Sequence, residues 1–239
     1  MTLKSSLPAL PALTAAVLLW GCEFSHTPTG PTEHESKSVD LEKLEMARVN
    51  LQMGAGNLKI KGGSPKLVEA DFTYNVPSWK PEFRYTNTGV RGDVEIRQPS
   101  TGKMHTGNSE YTWDLRLNDE VPMDLTVHFG AGEADMNLGS MSLRSVNVEM
   151  GVGELKLDLR GTPKRSYDVR VNGGVGEATV YLPKDVGIEA DAHGGIGGIN
   201  VTGLHKQDGR YVNDAYESAK TKIHLNIRGG VGNINLRAD

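Results

Sequence analysis

The chain has 239 residues and a formal net charge of −4, with 23% charged and 37% hydrophobic residues. This balance excludes a nucleic-acid-binding protein, which needs a basic surface to neutralise phosphates. Its 29 glycines are about 12% of the chain, against roughly 7% in average proteins. The single cysteine, Cys22, excludes an internal disulfide and a multi-cysteine zinc site.

The first residues have the layout of a signal peptide. Lys4 supplies a positive charge, an apolar run extends from Leu7 to Trp20, and the small residue Gly21 precedes Cys22. The apolar run is too short to span a bilayer stably. Two other interpretations remain open, namely a plain secretory signal and a short buried helix with an incidental cysteine.

Leu19-Trp20-Gly21-Cys22 resembles the lipobox of bacterial lipoproteins. The resemblance implies a lipoprotein signal peptide over 1–21, cleavage between Gly21 and Cys22, and lipid attachment to Cys22. The protein would then be held on the extracytoplasmic side of a membrane. Glu23, where an aspartate would indicate inner-membrane retention, favours the outer membrane. Residues 22–44 are polar and contain two prolines, which predicts a flexible tether.

A glycine repeat dominates the rest of the chain. Alternating apolar and polar residues lead into Gly-x-Gly, where x is Ala, Val or Ile, and a second alternating run follows it. The first glycines of the four middle copies are 21, 23 and 21 residues apart. The six glycine pairs are Gly54 and Gly56, Gly130 and Gly132, Gly151 and Gly153, Gly174 and Gly176, Gly195 and Gly197, and Gly230 and Gly232.

Alternation with a period of two predicts strands with one buried face. The equal spacing predicts an all-β fold in which residues 121–239 form a parallel β-solenoid-like stack of rungs of about 21–23 residues. Each rung would have two strands, with Gly-x-Gly at the corner and the middle residue inserted in the core. A polar loop is expected over 205–220. The alternative is an antiparallel β-sandwich.

Residues 45–120 follow the repeat only at its first copy. Alternating segments at 67–74 and 109–117 predict strands, and the second contains Tyr111 and Trp113. We therefore expect an irregular N-terminal β subdomain that caps the open end of the stack, because an exposed rung invites aggregation.

Three sequence features resemble the toast-rack domains of bacterial envelope proteins. They are the segment Trp113-Asp114-Leu115-Arg116-Leu117, the segment Val121-Pro122-Met123-Asp124-Leu125, and the Gly-x-Gly-Glu copies at 130–133 and 151–154. These include the C-terminal domain of LiaF-type cell-envelope stress regulators and a group of adhesin-like proteins. The resemblance covers about 45–239 and implies a β-rich envelope module without catalytic residues. The membrane-helix bundle of LiaF-type regulators is absent from this sequence.

Other chemistries have weak support. No Gly-x-Gly copy has the third glycine and the helix of a dinucleotide fingerprint. The Gly-Gly-x-Gly copies have Ala178, Ile199 and Ile234 where a calcium-binding repeat needs aspartate. We therefore expect no cofactor. Glu133, Glu154 and Glu177 each follow a Gly-x-Gly and could form a ladder that attracts a divalent cation or is simply solvated.

Enzymatic activity is not expected, although parallel β-helices can be carbohydrate-active enzymes. Asp124 and His128 lie on the wet face of one predicted strand, but no nucleophile, base and orienting group can be chosen among many polar residues. The sequence predicts a binding, scaffold or adhesin-like envelope lipoprotein. Its partner would be an envelope protein, a surface polymer or a second copy of the chain. The alternative is an accessory protein of envelope-stress signalling.

Overall fold

The structure is a computed structural model that describes residues 29–100 and 108–239. The predicted signal peptide, Gly21 and Cys22 lie outside the described residues. Within the described ranges no helix is long and apolar enough to cross a membrane. The fold is all-β, as predicted, and a single 3-10 turn occupies Pro77–Trp79. The strands are β1 Glu33–Val39, β2 Met46–Lys61, β3 Val68–Tyr74, β4 Glu82–Asn87, β5 Arg91–Arg97, β6 Tyr111–Leu117, β7 Met123–Asn137, β8 Leu143–Asp158, β9 Tyr167–Leu182, β10 Gly187–Ile196, β11 Ile199–Thr202, β12 His205–Gln207, β13 Arg210–Val212 and β14 Lys222–Ala238.

Five long strands form the centre of the sheet. β2, β7, β8, β9 and β14 each have 15 to 17 residues and pair in parallel, in the spatial order β2-β7-β8-β9-β14, with β10 next. The Gly-x-Gly copies stand in one register, because Gly132 pairs with Gly56 and Gly153, and Gly176 pairs with Gly153 and Gly232. The repeat therefore predicted the alignment of the strands correctly.

Each long strand bends sharply at its Gly-x-Gly. Its hydrogen-bonded ladder continues through the bend, so a repeat is one bent strand and not two strands joined at a corner as predicted. The second glycine has a φ between +126° and +140° in all six copies, a conformation that L side chains rarely adopt. We call the part before the bend the first arm and the part after it the second arm.

The bend brings the two arms together. Only five residues, 138–142, join β7 to β8 and span at most about 18 Å, whereas a straight 16-residue strand would be about 50 Å long. Parallel strands can be joined so briefly only because each strand folds back on itself. The inward side chains of both arms form one contiguous hydrophobic core, which includes Val148 and Leu157 of β8.

The end of the sheet next to β2 is closed by β5 and β6, which are parallel to β2, and by antiparallel strands outside them. On the first arm β5 pairs with β2 and β4 pairs with β5. On the second arm β6 pairs with β2, then β3 and finally β1 follow. Trp113 in β6 is fully buried against Phe72 and Tyr111, with ring centroids 5.6 and 5.9 Å away. The sheet as a whole therefore mixes parallel and antiparallel pairs, and the antiparallel pairs at this end lie before residue 121, outside the range in which a parallel stack was predicted.

The predicted tether over 22–44 is wrong for residues 33–39, which form β1. This strand is polar and only Val39 is buried. It is held at the edge of β3 by its backbone and by polar pairs such as Ser36 Oγ donating to Asp71 Oδ1 at 2.5 Å. Hydrophobic periodicity does not detect such a strand, because it contributes almost nothing to the core.

The predicted boundary at residue 120 does not divide the sheet. β2, which lies within the expected 45–120 subdomain, pairs with β7 through 14 residue pairs between Ala47 and Lys61. The last repeat also lies out of chain order, because β14 inserts between β9 and β10. Finally, the expected loop over 205–220 contains the hairpin of β12 and β13.

Candidate functional surface

The middle residues of the Gly-x-Gly copies form a row on the outside of the bend. They are neighbours in the register of the sheet, about 4.8 Å apart, so that six of them extend about 24 Å. We call this row the bend ridge. In spatial order it consists of Ala55, Ala131, Val152, Val175, Val231 and Ile196.

The bend ridge is exposed, so the prediction that these residues are inserted in the core is wrong. Val152 is 53% exposed and Ile196 is 74% exposed. Of the six large apolar residues that are exposed in the described part of the chain, four lie on this ridge. Apolar side chains that line up on a surface commonly mark a binding site.

The alternation of the strand explains this exposure. Met150 and Leu155 of β8 are both buried although an odd number of positions separates them. In a regular strand only residues an even number of positions apart share a face. The extra residue is taken up at Gly-x-Gly, where the middle side chain points away from the core. This change of parity is visible in the sequence and could have predicted the ridge.

An acidic row borders the bend ridge on the second arm. Glu133, Glu154 and Glu177 are exposed neighbours in register, as the ladder prediction required. Asn235 Nδ2 donates a hydrogen bond of 2.8 Å to Glu177 Oε1. Within the described ranges no group of three or more His, Cys, Asp or Glu residues is placed to hold a metal ion. These three carboxylates form an exposed, acidic border of the bend ridge.

A shallow groove borders the bend ridge on the first arm. It has a volume of about 880 Å³, and Gln52, His128, Glu149 and Asn172 line it together with the first glycines of four bends. His128 Nδ1 lies 2.9 Å from Glu149 Oε2 on the neighbouring strand. The apolar ridge thus has a polar groove on one side and carboxylates on the other.

Further along the first arm, the hairpin of β12 and β13 closes a second groove of about 510 Å³. Glu189 lies in its wall and accepts hydrogen bonds from Tyr216 Oη and from the Arg210 guanidinium. These two contacts, the tyrosine hydroxyl above all, hold the pKa of Glu189 below its ordinary value. Both carboxylate oxygens have partners, as in a structural ion pair that attaches the hairpin to β10.

The candidate pair Asp124 and His128 lies on the outer face of β7, as predicted, but the two side chains belong to separate contacts. Ser145 Oγ donates to Asp124 Oδ1 at 2.9 Å, while His128 contacts Glu149. Four residues apart, they are separated by about 13 Å of strand. The structure does not bring them together as a catalytic pair.

Comparison with protein families supports the resemblance found in the sequence. Residues 28–181 match the family described as "N-terminal domain of toast_rack". Residues 130–236 match the family described as "Cell wall-active antibiotics response LiaF, C-terminal". No curated protein sequence matches the chain.

Solved structures include a clear relative. The chain is similar to a structure described as a "putative cell adhesion protein" from Clostridium sporogenes, with 36% identity, a TM-score of 0.85, and coverage of 87% of this chain and all of that one. A "putative adhesin" from Bacteroides fragilis has 12% identity and a TM-score of 0.32, over 87% of this chain and 98% of that one. The first family match, which spans more than half of the chain, and the clostridial relative together show that this protein belongs to the toast-rack family.

Proposed function

We propose that this protein is a non-enzymatic, membrane-anchored binding module of the cell envelope. Its docking surface would be the bend ridge with its two polar borders. The exposed row of apolar side chains is the observation that carries the proposal. Soluble proteins rarely keep such side chains in line unless something covers them.

The construction of the surface suits an extended partner. The four central ridge residues sit on strands that pair with a neighbour on both sides, and their glycines pack against glycines of the next bend, so little conformational entropy is lost on binding. The acidic row and the polar groove run parallel to the ridge. A polymer or extended polypeptide lying along the bend would therefore meet a repeated apolar contact about every 4.8 Å.

We expect the triple variant Val152→Ser, Val175→Ser, Val231→Ser to bind isolated cell envelopes at least tenfold more weakly than the parent chain. Each ridge valine that a partner covers contributes about 1 kcal/mol or more, and 1.4 kcal/mol corresponds to a factor of ten. The measurement is co-sedimentation of the purified chain with envelopes over a range of protein concentrations.

The matched control is the double variant Leu41→Ser, Val90→Ser. These two side chains are 46% and 55% exposed and lie off the bend ridge. It should bind as the parent chain does. Both variants should unfold at the parental temperature, since all five side chains are exposed. Equal binding by the ridge variant and the parent would remove the ridge from the proposal.

The anchor is tested at Cys22. We expect the parent chain to incorporate a fatty-acid label and to sediment with membranes, and Cys22→Ser to lose the label, because no other cysteine exists. Glu23→Gln serves as the matched control and should keep the label. If Cys22→Ser is labelled and sediments like the parent, the lipoprotein assignment is wrong.

The match to the LiaF C-terminal family favours a second function, an accessory role in the envelope-stress response. In that case the bend ridge would dock a component of the response. The two functions differ in when the ridge is needed. An accessory protein would require the ridge valines for induction of a stress reporter by a cell-wall antibiotic, whereas a structural binder would not.

A further inference from the structure

The two ends of the sheet differ in how they are finished. At the β2 end, Gln98 Oε1 accepts hydrogen bonds from the backbone N–H groups of Gly54 and Ala55, at 2.7 and 3.2 Å. This side-chain amide occupies the place where another bend would stack. With β5 and β6 on either side of it, the first bend cannot receive a further rung.

The opposite end is open. β11 pairs with β14 alone among the described strands, and β10 pairs on its outer side with β13 through Glu189 and Ala190 only. On the side away from β14, residues 191–202 therefore have no strand partner within the described residues. We call β11, Ile199–Thr202, the open edge.

The backbone direction of the open edge follows from one hydrogen bond. The carbonyl of Gly198 accepts from the N–H of Ile234 in β14 at 2.9 Å. Because backbone groups of successive residues in a strand point to opposite sides, those of Asn200 also face β14. The N–H and C=O groups of Ile199 and Val201 face outward, where a further strand could pair with them.

The open edge is short, at four residues, but it lacks the charges and proline that also prevent edge pairing. Residues 194–204 contain no charged residue and no proline, whereas natural edge strands commonly carry lysine, proline or a bulge. The inward side chains of Ile199 and Val201 are only half-buried. A strand added here would satisfy the backbone and cover apolar surface.

β1, the first described strand, lies at the other end of the sheet. Residue 29 leads into β1, eight strand spacings or about 38 Å from β11 along the second arm. The strands on either side of residues 101–107, β5 and β6, both pair with β2. None of the described strands is placed to pair with the open edge, so this edge is accessible to a strand from another molecule.

We infer that the open edge pairs with the same edge of a second copy, antiparallel about a twofold axis. An uncharged edge can face its own image without opposing like charges. Pairing stops at two copies, because the capped β2 end cannot accept the open edge of a third. The paired segment is short, so the dimer is weak and depends on concentration at a membrane surface.

Cross-linking in cells tests this inference. Thr202 is exposed and belongs to the open edge, and Asn137, its matched control, is exposed at the equivalent position of the interior strand β7. The full-length Thr202→Cys chain, treated with a short bismaleimide, should give a dimer band at least tenfold above that of Asn137→Cys. The parent chain, with Cys22 alone, measures the background.

Adding Val201→Pro to Thr202→Cys removes the outward N–H group and should abolish the dimer band. Proline is tolerated at an edge strand when its nitrogen faces away from the ladder, and resistance to protease shows that the fold is kept. Three results would overturn the inference: a Thr202→Cys dimer band no stronger than background, bands larger than the dimer, or cross-links to other proteins only. Loss of the band leaves binding by the bend ridge intact, so the two proposals fail separately.

Discussion

Gly174→Ala is expected to destabilise this protein by at least about 3 kcal/mol, whereas Gly173→Ala, one residue away, should change its stability by less than about 1 kcal/mol. A Cβ at Gly174 would lie 2.3 Å from the carbonyl oxygen of Gly151 on the next strand. A Cβ at Gly173 would meet only the carbonyl oxygen of Arg228, at 3.8 Å. Denaturant titration of the two variants measures the difference.

The obstacle at Gly174 is backbone and cannot move aside. Gly151 is itself stacked on Gly130, and Gly130 on Gly54, with virtual Cβ contacts of 2.4 and 2.1 Å. Displacing one bend therefore disturbs every bend below it. A loss of 3 kcal/mol is a large share of the 5–15 kcal/mol that stabilises a typical domain. Equal unfolding midpoints for the two variants would show that neighbouring bends can move apart without loss of folding stability.

A further pair separates steric from conformational cost. Gly176→Ala combines a φ of +137° with a Cβ 1.8 Å from the carbonyl oxygen of Gly153. Gly63→Ala has a φ of +91° and open space around its Cβ. Gly63→Ala should cost about 1–3 kcal/mol from strain alone, and Gly176→Ala should cost more.

Trp113→Ala is expected to cost about 3–5 kcal/mol, as typical for a buried aromatic residue replaced by alanine. Trp113 is fully buried in β6 and pairs in register with Leu58 of the first long strand. Removing it opens a cavity between the closing strands and the stack, next to Phe72 and Tyr111. We expect a lower unfolding temperature and faster aggregation, measured by calorimetry and light scattering.

Trp113→Phe is the matched control. It keeps an aromatic ring beside Phe72, whose plane is at 80° to that of Trp113, and should cost only about 1 kcal/mol. If alanine and phenylalanine have the same effect, the ring contact does not hold the closing strands in place. If neither has an effect, these strands do not support the core.

Local patterns in the sequence were sufficient to predict the strand segments on either side of each Gly-x-Gly, but not that the two segments form one bent strand. Period-two alternation identified the long strands, and equal glycine spacing aligned their bends, because both signals lie within one repeat. The strand order could not be obtained in the same way. β10 and β14 carry nearly identical patterns, so the sequence does not show which of them pairs with β9.

The candidate surface was harder to predict than the fold. Val152 and Val175 were expected in the core because apolar residues between strands usually are, and the change in parity at the bend was not taken into account. β1 was missed because its stability comes from backbone pairing and not from a buried face. The open edge at β11 depends on which strands are neighbours, which is a property of the whole sheet.

The position of β14 has a consequence for synthesis and export. The bends of β7, β8 and β9 can stack one by one as the chain emerges, but β10 has no correct neighbour until the last 18 residues, 222–239, arrive. Until then β9 and β10 have unpaired strand edges, and the two strands can pair with each other in a non-native way. If the chain is exported as proposed, its sheet cannot be completed before residues 222–239 have crossed the membrane.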